Sequence, residues 1–86
     1  VTSRPPAVQP AEISQILAWC SRLATAGSRA STAETAAYLT AKASLLERIA
    51  AERAEGGWTS HDTVAARQAA ASARAAARAA AALAAA

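Results

Sequence analysis

Few side chains in this sequence are equipped for chemistry. Cys20, His61 and Asp62 are the one thiol, the one imidazole and the one aspartate of the chain. His61 and Asp62 are adjacent near a helix start, Cys20 lies on another element, and no spacing joins the three into a metal-ligand set. Cys20 with His61 would make a nucleophile and base only if folding brought them together. A buried core thiol and a first-turn histidine account for both more simply. Gly56-Gly57 lacks the Lys-Ser/Thr that completes a phosphate-cradling loop. The expectation is a non-catalytic chain with no cofactor, no metal and no small-molecule substrate.

Surface chemistry is more legible. Arg67, Arg74 and Arg78 are spaced by seven and four, so on a helix they stack on one side. Such a ridge can touch phosphates, each contact adding salt dependence. It would equally keep an alanine rod soluble. On the other side Ala65, Ala69, Ser72, Ala76 and Leu83 form a smooth strip, which a partner helix can approach closely. Trp19, off the centre of its helix's apolar stripe, and Trp58, before the third helix, complete the candidate partner contacts. Apart from Leu83, the strip opposite the arginines lacks the Trp, Phe and Leu that insert into lipid, and no apolar run reaches the ~18 residues of a span. A membrane role is not expected.

Three helices must position these groups. The first is expected over 10–26: Pro10 suits the first helical position, Glu12 favours the positive end, and Gly27 closes the helix. Its apolar stripe is Ile13, Ile16, Leu17, Cys20, Leu23 and Ala24. The second, over 32–55, opens with the capping box Ser31-Thr32-Ala33-Glu34 and ends at Gly56-Gly57. Its stripe runs through Ala36, Leu39, Ala43, Leu46 and Ala50, widened by Tyr38, Lys42, Leu45 and Ile49. Arg48 and Glu52 fall one turn apart on it. The third, over 60–86, is capped by Thr59 or Ser60 and is almost entirely alanine, the best helix former. Residues 1–9, with Pro5-Pro6, read as a flexible tail.

Composition limits the fold. Phe and Met are absent, and the large apolar residues crowd into 13–64, leaving Val64 and Leu83 to anchor the third helix. Eighty-six residues with so little bulk make one small domain that gains from association. A net charge of +3 permits an acidic partner without requiring one. The single cysteine fits a reducing cytoplasm, and no secretory leader pattern opens the sequence.

The run Ser31-Thr32-Ala33-Glu34-Thr35-Ala36-Ala37-Tyr38-Leu39 resembles the opening of excisionase-type helix-turn-helix domains, where an acidic residue, an alanine pair and an aromatic-Leu close the first helix. The resemblance covers about a fifth of the chain. It implies a turn after Leu39 and places Leu46, Arg48 and Ile49 on a recognition helix. Periodicity through Thr40-Ala41-Lys42-Ala43 instead predicts unbroken helix over 36–50.

The fold class expected from these patterns is all-α: a three-helix antiparallel bundle, or a helical hairpin with a long alanine-rich C-terminal helix. The function expected is protein–protein association by helix packing, as a homodimer or as a subunit of an assembly. The alternative is a small basic DNA-binding regulator of the kind phages and plasmids carry.

Overall fold

The computed structural model describes residues 7–55 and 60–86, except the side chains of Ser28 and Ser60. The predicted Gly56-Gly57 stop, the Thr59 or Ser60 cap, Trp58 and the Pro5-Pro6 tail lie outside the described part. Three α-helices follow in order: α1 Pro10–Ala26, α2 Thr32–Glu55 and α3 Ser60–Ala85. A single 3-10 turn, Gly27–Arg29, joins the first two. The fold is all-α.

Local signals set the helix ends. Pro10 stands at the first position of α1, and the Glu12 carboxylate accepts from the Gln9 amide at 2.9 Å. Gly27 takes φ +56 and donates its amide to the Leu23 carbonyl, a left-handed closure that disfavours other residues. The Ser31 hydroxyl accepts from the Glu34 amide at 3.0 Å and opens α2. No turn divides α2, and residues 40–43 are helical like their neighbours.

The core is an alanine seam between α2 and α3. Ala36, Ala43 and Ala50 of α2 face Ala66, Ala70, Ala73 and Ala77 of α3, all buried, with Ala43 at 0% and Ala77 at 2% exposure. Leu39 and Leu46 pack against its centre. Each buried methyl contributes about 0.8 kcal/mol, so the seam is stabilised by many small contacts and by close approach of the two backbones. One expectation is corrected here. Val64 and Leu83 do not anchor α3, being 50% and 70% exposed. The packed ridge lies one residue along from the strip through 65, 69, 72 and 76, which remains uncovered.

Helix α1 lies antiparallel on the opposite flank of α2 and, among the described residues, makes no contact with α3. Trp19 meets Tyr38 edge-to-face, with centroids 5.7 Å apart and planes at 69°. Glu12 pairs with Arg48. These two contacts turn α1 so that Glu12, Ile16, Trp19, Leu23 and Ala26 are half-buried, and no α1 residue is fully buried. Residues 7–9, expected within the tail, are tied to α2. The Val8 amide donates to Glu52, and Arg48 Nη2 donates to the Ala7 carbonyl at 3.2 Å.

Candidate functional site

The two flanks of α2 leave a strip between them. At 100° per residue, Lys42 and Ile49 fall between the row facing α1 (Tyr38, Leu45) and the row facing α3 (Ala36, Ala43, Ala50). On α3 the uncovered residues Ala65, Ala69, Ser72, Ala76 and Leu83 turn towards this strip. A cavity bordered by Leu46, Ile49, Arg53, Ala65 and Ala69 marks where they meet it. On α1 the residues one position after the packed row, Ile13, Leu17, Cys20 and Ala24, turn to the same side, because α1 and α3 both run antiparallel to α2. By this register an open, shallow groove runs along α2, flanked by α1 and α3.

Its walls are apolar and open. Leu17 is 62% exposed and Ile13 41%, although both belong to the predicted core stripe of α1. Trp19, rather than those two, took the contact with α2, since the indole and the Tyr38 ring offer the larger matched surface. Cys20 is likewise exposed, which corrects the expected buried thiol. Its thiol neighbours the Tyr38 hydroxyl, and that interaction, with burial, raises the tyrosine pKa. No arrangement joins Cys20 to His61: the two stand on α1 and α3, which do not touch.

The opposite side of the molecule carries the arginine ridge. Arg74 donates to both Glu47 carboxylate oxygens, at 3.0 and 2.7 Å, and to the Ser44 hydroxyl at 3.1 Å. This bond chiefly lowers the Glu47 pKa, and the Arg78 charge adds to it. One member of the candidate phosphate ridge is therefore engaged across the α2–α3 seam, while Arg67 and Arg78 are exposed. Arg48 reaches 36 residues back to Glu12, at 2.5 and 3.1 Å, and lowers that carboxyl's pKa with help from the Gln9 amide. The predicted one-turn neighbour Glu52 acts on Arg48 only through its charge among the causes that raise the arginine's pKa.

No family model matches the chain, and neither the curated proteins nor the solved structures compared with it give a match. Among the described residues no group of three or more His, Cys, Asp or Glu side chains is placed to hold a metal ion. No described helix is long and apolar enough to cross a membrane. Of the candidate partner contacts, Ala65, Ala69, Ser72, Ala76 and Leu83 share the groove's side of α3 and are exposed. Trp19 is half-buried against Tyr38 and serves the fold.

Sequence reasoning missed Ile13, Leu17 and Lys42 as members of this surface. Their apolar or intermediate positions assigned them to the core. Only the rotation of α1 by one residue, forced by Trp19 and Glu12, brings the first two outside it.

Proposed function

We propose that this chain is a small non-catalytic module that works by helix–helix association with another polypeptide, in the cytoplasm. The carrying observation is the apolar side chains left open along the groove, above all Leu17 and Leu83 at 62% and 70% exposure. Contiguous apolar surface beyond a few hundred Å² on a small domain marks an interaction site. An exposed free cysteine fits a reducing compartment.

The test compares the full chain with a Leu17→Glu/Leu83→Glu variant. Both positions are surface residues, so the variant should keep its circular dichroism spectrum and melting temperature. A polypeptide that binds the wild-type chain directly, as purified components, and loses at least tenfold in affinity for the variant supports the reading. Micromolar binding to random duplex DNA that falls steeply between 50 and 200 mM salt, with no polypeptide bound, refutes it in favour of the DNA-binding regulator.

A further inference from the structure

Resting on that reading, we infer that the groove takes an amphipathic helix whose apolar face carries a carboxylate at its centre, and that Lys42 is the residue that selects it. The register of the three helices locates Lys42. Trp19 beside Tyr38 and Glu12 beside Arg48 set α1 against α2. Ala73 and Ala77 beside Ala43, with Arg74 beside Glu47, set α3. Between these fixed points Lys42 stands near the midpoint of α2, on the groove floor, level with Leu17 on one wall and with Ser72 and Ala76 on the other. It is half-buried, and among the described residues it makes no hydrogen bond or ion pair. Two other half-buried basic side chains differ from it: Arg48 and Arg74 both hold glutamates.

The shape of the floor and walls decides what kind of partner fits. Alanines at 65, 69 and 76 and serine at 72 let a helix backbone come close on the α3 side, while Ile13 and Leu17 give side-chain contact on the α1 side. A helix laid lengthwise in such a groove is read through apolar anchors at spacings of three and four. The same burial would strip water from the Lys42 ammonium, which then requires an opposite charge. A carboxylate in the middle of the incoming face supplies it. A second copy of this chain fits poorly. Two-fold pairing through the groove's middle brings two Lys42 ammoniums together, a like-charge contact that suppresses association. Net charge +3 disfavours the copy further and favours an acidic partner.

Two synthetic amphipathic helices test the inference. Both have the same Ala/Leu face, and they differ only at a central face position, Glu in one and Lys in the other. Binding to the full chain is measured by anisotropy of a labelled peptide. The Glu peptide should bind on the order of tenfold more tightly. Lys42→Glu should invert the order, and Lys42→Gln, the milder change, should bring the two peptides level. Ala69→Arg should block both. Equal affinities, no binding up to millimolar peptide, or an order unmoved by either Lys42 variant overturns the inference. A concentration-dependent dimer in sedimentation equilibrium, abolished by Ala69→Arg, also overturns it and gives the groove to a second copy. If instead a natural polypeptide binds and is lost with Leu17→Glu/Leu83→Glu, yet ignores Lys42→Glu, the association reading stands and the carboxylate inference alone falls.

Discussion

Enlarging one methyl group at the centre of the seam tests whether alanine contacts hold this fold together. Ala43 is fully enclosed by Ala73, Ala77, Leu39 and Leu46. Leucine at that position adds three carbons where no free volume exists, so α2 and α3 must separate or their side chains leave their rotamers. Overpacking of this kind costs about 1–3 kcal/mol. A domain of this size has a total stability of about 4–13 kcal/mol, so the loss is a large fraction of it. At about 4–8 °C per kcal/mol, Ala43→Leu should lower the melting temperature by roughly 5–20 °C. Leucine is nearly as good a helix former as alanine, so the change acts through packing and not through the helix itself. Ala75→Leu is the control, since that residue faces solvent on the far side of α3. It should move the midpoint by no more than a surface substitution does, about 0.5 kcal/mol. Thermal and urea melts followed at 222 nm read both variants. Equal midpoints for the two, or a more stable Ala43→Leu, would show that α2 and α3 do not approach closely and would refute the seam.

Two further outcomes follow from the side chains. Cys20 should react with a thiol reagent in the native protein within a few-fold of its rate in denaturant, because it is exposed; native protection by orders of magnitude would return it to a core. Glu12 and Glu47 both have lowered carboxyl pKa values, through Arg48 and Arg74 respectively. Their contribution to stability is therefore complete above the ordinary glutamate pKa of about 4.3 and is lost as pH falls below it through the depressed folded values. Glu12→Gln/Glu47→Gln should flatten the acid limb of the stability–pH curve between pH 5 and 2, and an unchanged limb in urea melts would mean that these pairs do not persist in solution.

Nearness in sequence decided what could be read without the fold. Pro10, Gly27 and the Ser31–Glu34 cap act within one turn of the chain; α1 begins and ends, and α2 begins, where those residues place them. The unbroken course of α2 was equally legible, because no residue from 32 to 55 breaks a helix and the apolar period never slips. Alanine in α3 predicted helix for the same local reason. It could not predict a face. A helix that is alanine on nearly every side has no apolar contrast, so the periodicity pointed to 65, 69, 72 and 76 as readily as to 66, 70, 73 and 77. The choice was made by Glu47 and Ser44 drawing Arg74 to the edge of the seam. In α1 the apolar stripe is real but wider than the contact, and the tertiary structure decided which half of it to bury. Trp19 found Tyr38 across 19 positions and Glu12 found Arg48 across 36, and these long-range contacts left Ile13 and Leu17 outside. The groove exists because of that rotation. Its walls come from α1 and α3 and its floor from α2, so no local pattern in the sequence records it.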